Sequence, residues 1–366
     1  MVTWSSSDLM SNSTSVEEEF PSAEIVARFA TKIGRKWRTR NELIDLIDNE
    51  LWDIEETIYA AGEAARCEYR KIPELVRRDV GHLPLFEVAE VAQATVHLYG
   101  KQADRSVPRD MLYVFSGLAT RAISTLREIA ILLDSGYAFG AKSRWRALSE
   151  ILVVARILVA GNRHTATRYK EHRWIILARQ RARTQDFQWV GDLPTPEVMS
   201  RRLRRRFGDA YGGEYGWAAT VTSQRLRQSK PRWRHLLEIA GVDEYESRVQ
   251  AAHHAVHGAD ALGLLGTVSG SVGLFHAGGS AQGVLEVAHD SVRLFREVMW
   301  ALFQNCSKYS TSRKLVIFQG IFEAHAFNCE QNLLRTIISV DVDARNRYFA
   351  TIDEFLGLGG DIVVGD

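Results

Sequence analysis

The sequence contains few cysteines, and their spacing excludes two classes of site. Only Cys67, Cys306 and Cys329 occur among the 366 residues, and they are odd in number and far apart. Such cysteines do not make a disulfide framework, and no CxxC pair is present to hold a metal ion. The cysteine usage fits a reducing cytosol, and we expect no cofactor.

The chain also lacks a segment suited to secretion or to a membrane. Residues 4–19 are polar and then acidic, whereas a signal peptide is basic and then apolar. The one long uncharged run, 261–283, is too rich in glycine for a convincing membrane helix. We therefore expect a cytoplasmic protein with no membrane partner.

The chain has almost no net charge overall, but its charges are unevenly distributed. The formal net charge is +1, which gives no global field that would drive the chain onto nucleic acid or membrane. Residues 1–100 hold 11 Lys and Arg against 18 Asp and Glu, a net −7, whereas residues 142–206 hold 16 against 5, a net +11. This asymmetry is compatible with an acidic partner or with charge matching between the two segments.

Regular alternation of apolar and polar residues, the pattern of a half-buried strand, is also missing, whereas helical periodicity recurs. We predict an all-α fold, an antiparallel helical bundle with additional N- and C-terminal helices. The predicted parts are a disordered leader (1–22), an N-terminal helical region (23–106), a core bundle (107–260), a glycine-rich loop (261–283) and C-terminal helices that pack on the core (284–366).

The prediction of a helical bundle rests mainly on the stretch 121–183. Its middle part, 144–160, is apolar on nearly every side, which is typical of a buried helix. The predicted helices span 41–70, 85–101, 108–133, 144–160, 162–186, 197–207, 244–258, 284–304, 322–339 and 342–355, with two short helices before Gly241.

Two charged residues interrupt the apolar helix 144–160. Arg146 and Glu150 are one helical turn apart and share a face with apolar positions, so we expect both to lie partly inside. A carboxylate taken out of water needs a partner, which favours an ion pair that fixes the helix register. The alternative is an acid and a base that face a cleft with shifted pKa values.

A histidine cluster lies in AAHHAVHG, within 251–258. His253 and His257 are one helical turn apart, the spacing at which two imidazoles can share a metal ion. A third ligand would have to come from Asp260 or from elsewhere, and no HExxH motif is present. The alternative is that these histidines only form hydrogen bonds or cap the helix.

The spacing from Arg248 to His253 and His254 gives a second interpretation of this segment. It resembles the Arg-x(4–6)-His signature of the HEPN helical-bundle proteins, many of which are ribonucleases that act as toxins or in phage defence. Histidine can serve as general base or acid at a ribose 2′-hydroxyl, and arginine can stabilise charge on the phosphate. Five residues turn a helix by about 140°, so Arg248 and His253 would cooperate only across a two-fold dimer interface.

A run of arginines, RRLRRRF, predicts contact with phosphates if it faces solvent. It contains Arg201, Arg202, Arg204, Arg205 and Arg206. Neutralising several phosphates gives strong, salt-sensitive binding that does not depend on base sequence. The alternative is a solvated helix face that pairs with the acidic N-terminal segment.

The stretch about 120–260 resembles a bacterial domain family of unknown function. The likeness rests on a turn with Gly136 and Gly140, the Arg146-x-x-x-Glu150 helix, an aromatic and basic helix around Arg168, and a later helix that ends in His257. The resemblance implies a fold but no activity.

Two functional hypotheses follow. The first is a HEPN-like, metal-independent endoribonuclease toxin of phage defence or a toxin–antitoxin system, a homodimer that acts on RNA and meets an antitoxin or defence partner. Its chemistry would rest on Arg248, His253 and His254. The second is a non-catalytic helical module that binds a protein or small ligand in a cleft near Arg146, Glu150 and His257.

Overall fold

The computed structural model describes residues 82–102, 107–184, 194–242, 245, 283–309 and 313–339, together with Pro73, Glu74 and Arg77. The described part is helical and contains no strand. The all-α prediction is therefore confirmed. The helices are α1 (Leu85–Gln102), α2 (Arg109–Asp134), α3 (Ala138–Ala160), α4 (Arg163–Glu171), α5 (Arg173–Arg183), α6 (Pro196–Phe207), α7 (Ala219–Leu226), α8 (Trp233–Ala240), α9 (Val284–Ser307) and α10 (Arg313–Ser339).

Helix α3 lies at the centre of this bundle, as its sequence predicts. It packs against α2, α8 and α9, and its buried side chains point in nearly every direction. The turn 135–137 joins α2 to α3, and so short a connection makes the two helices antiparallel neighbours. Gly136 has a φ of 75°, a left-handed conformation that glycine adopts without strain.

Helices α1, α9 and α10 complete the described bundle around α2 and α3. Their apolar contacts include a cluster of tilted rings in which Tyr99 lies 5.0 Å from Phe115 and 5.4 Å from Phe303, measured between ring centroids. Burial of these rings removes a large apolar area from water, which stabilises the bundle. It also raises the pKa of Tyr99 to about 12.

Three predicted helix boundaries are wrong. Helix α3 begins at Ala138 and not at Arg144. Helix α10 begins at Arg313 and not at Phe322, because Gly320 lies inside the helix at a cost of only about 1 kcal/mol relative to alanine. The predicted helix 162–186 is two helices, α4 and α5, which meet at His172. Asn162 starts α4 as predicted by the break at AGN, since its side chain accepts a hydrogen bond from the backbone N–H of His164 at 2.9 Å.

Candidate nucleic-acid interface

The exposed arginines of α6 follow from the spacing of its apolar and small residues. Pro196 begins the helix, and Pro196, Ser200 and Leu203 form its buried face at intervals of three and four residues. This register leaves the arginines on the remaining faces. All five predicted arginines are exposed: Arg201, Arg202, Arg204, Arg205 and Arg206.

Helix α5 packs beside α6 and adds further positive charge. Arg173 and Arg183 are exposed on it. The guanidinium of Arg173 lies 5.5 Å from the ring of Trp174, and that of Arg206 lies 5.0 Å from the ring of Phe207. We call the exposed arginines of α5 and α6 the arginine surface. It combines cations with neighbouring aromatic rings.

Few acidic groups oppose this charge within the described residues. Glu197, the acid of α6, lies 3.6 Å from Arg181 of α5, and no ion pair joins a described carboxylate to any of the five arginines of α6. The pKa of Glu197 is lowered, first by its own backbone N–H and also by Arg181 and Arg201. The predicted pairing with the acidic N-terminal segment falls on residues outside the described ranges and stays a prediction.

A buried arginine holds α6 in place. Arg168 of α4 is 7% exposed. Its guanidinium donates to the carbonyl oxygens of Trp217 and Gly216, both at 3.1 Å, and lies 4.8 Å from the ring of Phe207 and 5.0 Å from that of Tyr211. The Tyr211 hydroxyl in turn donates to the Arg168 carbonyl at 2.6 Å. Arg168 therefore ties α4 to the end of α6 and to the turns after it.

Two more side chains of α4 and α5 bind the same turns. Nε2 of His172 donates to the carbonyl of Gly213 at 2.9 Å, and the Arg179 guanidinium donates to the carbonyl of Gly212. His172 is 2% exposed, and this burial lowers the pKa of its imidazole. The segment GDAYGGEYGW, residues 208–217, is thus held by a set of charged and polar donors.

Glycine is required at one position of these turns. A Cβ built on Gly216 would overlap with the carbonyl group of Tyr211, which is backbone and cannot rotate away. The sequence signal for this close approach was present in the spacing of Gly212, Gly213 and Gly216. Sequence reasoning assigned these glycines to a loop and did not single out Arg168 or His172 as buried residues.

Arg146 and Glu150 form the predicted ion pair, but nearer the surface than expected. Nε of Arg146 lies 3.5 Å from Oε1 of Glu150. The Glu150 side chain is 49% exposed and that of Arg146 is 31% exposed, so the expected burial of the carboxylate is wrong. The reason is that Glu150 leaves the apolar face of α3 toward solvent near Tyr215, whose pKa rises to about 12 through burial first and then through Glu214 and Glu150.

The remaining predicted site residues are Arg248, His253, His254 and His257, together with the possible metal ligand Asp260. All lie outside the described residues. Among the residues that the structure does describe, no group of three or more His, Cys, Asp and Glu side chains could hold a metal ion. None of the described helices is long and apolar enough to cross a membrane.

Residues 112–269 match the model of DUF5677, a family of unknown function. The match begins in α2 and includes α3 to α8, so it contains the buried Arg168 cluster and the arginine surface. It confirms the resemblance over about 120–260 to a family without an assigned activity. No curated protein and no solved structure matches the chain.

Proposed function

We propose that this protein binds RNA through the arginine surface and cleaves it with Arg248, His253 and His254 as a toxin or defence ribonuclease. The observation that supports the binding step is that all five arginines of α6 are exposed and that none of them forms an ion pair with a carboxylate of the described residues. Arginine guanidinium groups bind phosphate oxygens in a planar, two-pronged geometry.

The aromatic neighbours of the surface favour a single-stranded ligand. Trp174 and Phe207 each lie beside an exposed arginine, and the side chain of Ile176 is 47% exposed on the same helix as Trp174. Unpaired bases stack on aromatic rings, whereas a duplex keeps its bases inside. The preference for RNA over DNA rests on the HEPN-like spacing of Arg248 and the histidines.

The binding step is tested with a triple variant, Arg201→Gln/Arg202→Gln/Arg205→Gln. Each lost phosphate contact lowers the salt dependence of single-strand binding by about 0.7 in slope, so three lower it by about 2 and weaken binding by roughly 100-fold at moderate salt. The measurement is fluorescence anisotropy of a labelled single-stranded RNA over a series of salt concentrations.

A matched control removes three other exposed cations, with Arg227→Gln/Lys230→Gln/Arg234→Gln. The net charge of both triple variants is the same, so a change confined to the α6 variant locates the site. Equal loss in both variants would mean that only net charge matters, and no loss in either would end the proposal. A DNA strand of the same sequence, bound equally well, would remove RNA as the specific ligand.

The cleavage step needs its own test. His253→Ala/His254→Ala should abolish RNA cleavage and toxicity in cells while RNA affinity stays within about twofold, because histidine acts in proton transfer and the arginine surface holds the backbone. Cleavage by this variant at the wild-type rate would contradict the catalytic assignment and leave the binding assignment intact.

The proposed dimer makes a second prediction about the same residues. Arg248→Ala and His253→Ala are each expected to be inactive, and a mixture of the two should recover activity if each dimer combines residues of both copies. Mixtures that stay inactive while mixed dimers form would exclude a site shared between the copies.

A further inference from the structure

A second concave site lies on the bundle itself, apart from the residues of the arginine surface. It is a cleft of about 540 Å³ lined by residues of α3, α7, α8, α9 and α10. The lining includes Arg156 of α3, Arg225 of α7, and Arg296, Trp300 and Gln304 of α9. A volume of this size is in the range of small-molecule sites.

Two of the cations in the cleft are already neutralised. Arg156 donates to Oε2 of Glu297 at 2.6 Å and to the carbonyl oxygens of Ala240 and Gly241 at 2.9 and 2.8 Å. Arg296 donates to Oε2 of Glu330 at 2.9 Å and also pairs with Glu323. These pairs fix α3, α8, α9 and α10 around the cleft, and neither arginine needs a ligand for its charge.

Two other cations differ from this pattern. Arg225 is exposed at the edge of the cleft and pairs with no carboxylate of the described residues. Lys308 directly follows the last residue of α9, and its ammonium donates to the carbonyl of Val159, which lines the cleft. Burial and the nearby charge of Arg225 both lower the pKa of Lys308. Arg225 and Lys308 therefore both lie at the cleft, and neither forms an ion pair with a carboxylate of the described residues.

Trp300 gives the same cleft an apolar wall. Its side chain lines the cleft and is 42% exposed, so part of the indole is open to a ligand. The indole offers a flat face on which a planar group can stack, and the aliphatic side chain of Ile239 extends the apolar lining.

We propose that this cleft binds a small organic anion with a planar group, of the mononucleotide class, with its phosphate held by Arg225 and Lys308 and its base stacked on Trp300. Arginine and lysine provide several N–H donors for the phosphate oxygens. Stacking of a base on an aromatic ring is sequence-tolerant, so the site recognises the class and not a single base.

The test uses the full chain and three probes in isothermal titration calorimetry: AMP, adenosine and inorganic phosphate. AMP should bind at least tenfold more tightly than either of the others, because only AMP engages both the cations and the indole. If adenosine binds as tightly as AMP, the phosphate site at Arg225 and Lys308 is contradicted. If phosphate binds as tightly as AMP, stacking on Trp300 is contradicted. Absence of AMP binding at millimolar concentration would overturn the proposal.

Variants locate the site. Arg225→Gln should weaken AMP binding about tenfold and leave the weak binding of adenosine unchanged, whereas Trp300→Leu should weaken both. The control is Arg227→Gln, an exposed arginine two residues further along the chain that does not line the cleft. Equal affinity for AMP in Arg225→Gln and Arg227→Gln would overturn the assignment.

The cleft and the arginine surface contain different residues, so their tests are independent. The triple α6 variant should bind AMP like the wild type, and Arg225→Gln should bind single-stranded RNA within about twofold of the wild type. Loss of AMP binding in the triple α6 variant would contradict a separate site in the cleft.

Discussion

Arginines on neighbouring helices have opposite environments in this molecule. Arg168 on α4 is 7% exposed, donates to two backbone carbonyls and lies against two aromatic rings. The five arginines of α6 are exposed, and none of them forms an ion pair with a carboxylate of the described residues. Their common residue type and their nearness in the fold do not give them a common role.

The difference shows that the partners of an arginine, and not its place in a basic segment, indicate what it does. A buried guanidinium whose donors are satisfied by backbone carbonyls is a structural element, because removing it breaks the hydrogen bonds that join two parts of the fold. An exposed guanidinium without a protein anion retains its capacity for a phosphate. Arg168 therefore belongs to the scaffold, and the arginines of α6 belong to the surface that the scaffold presents.

The largest effect on stability should come from Arg168→Leu. The change removes two hydrogen bonds from a charged donor to backbone carbonyls, at roughly 1.5–3 kcal/mol each, so we expect a loss of about 3–6 kcal/mol in the free energy of unfolding. Arg168→Lys retains a positive charge and part of the hydrogen bonding, so its free energy of unfolding should lie between those of the wild type and Arg168→Leu. The measurement is urea unfolding followed by circular dichroism.

The matched control for Arg168 is Arg201→Leu on the exposed side of α6. It should change the free energy of unfolding by less than about 0.5 kcal/mol, as surface substitutions usually do. Similar losses for Arg168→Leu and Arg201→Leu would show that burial does not separate the two kinds of arginine.

A smaller effect is expected where the turns approach each other most closely. Gly216→Ala should lower the free energy of unfolding by about 1–3 kcal/mol, because the added methyl group overlaps with the backbone of Tyr211. Gly117→Ala in the middle of α2 meets nothing within 4 Å and should raise it by about 0.5–1 kcal/mol. The same unfolding measurement decides both, and a stabilising Gly216→Ala would contradict the described turn.

The fold was largely predictable because its signals are local. The apolar surround of α3, the break at 135–137 and the N-cap Asn162 all lie within a few residues of the elements that they define. The bounds of α6 were predicted to within one residue for the same reason, since a proline starts the helix and Gly208 follows its end.

The site was predictable only in its exposed part. The arginines of α6 are adjacent in sequence, so their run was visible, and their spacing around Leu203 fixes their exposure. The partners of Arg168 are 48 and 49 residues away, and no local pattern connects Arg168 with Gly216 or Trp217. The break at His172 was missed because no proline or glycine marks it, and the contact of His172 with Gly213 joins residues far apart in the sequence.

The buried contacts around Arg168 and His172 should also make the stability of the fold depend on pH, which the exposed arginines should not. Burial, the main cause, holds the pKa of His172 below its usual value of 6.5. As the pH falls below about 6.5 the unfolded chain takes up this proton before the folded chain does, so stability is complete above that pH and is lost below it. The wild type should therefore show a lower Tm at pH 5 than at pH 7.

His172→Gln tests this assignment, because glutamine retains an N–H donor for the Gly213 carbonyl but does not titrate. The fall in Tm between pH 7 and pH 5 should be smaller in His172→Gln than in the wild type. His164→Gln, at an exposed position one helix earlier, should leave the fall unchanged. An identical pH profile for the wild type and His172→Gln would exclude the imidazole as the acid-sensitive group.

The smallest effect should come from the ion pair at the surface of α3. Arg146 and Glu150 are one helical turn apart at 3.5 Å and both are partly open to water, a geometry typically worth 0.5 kcal/mol or less. Glu150→Gln should therefore lower the free energy of unfolding by about 0.5 kcal/mol or less. In 1 M salt, where charges are screened beyond about 3 Å, the variant and the wild type should be equally stable. A salt-insensitive loss above 2 kcal/mol would place Glu150 with Arg168 among the buried structural charges and would restore the cleft near Arg146 as a candidate site.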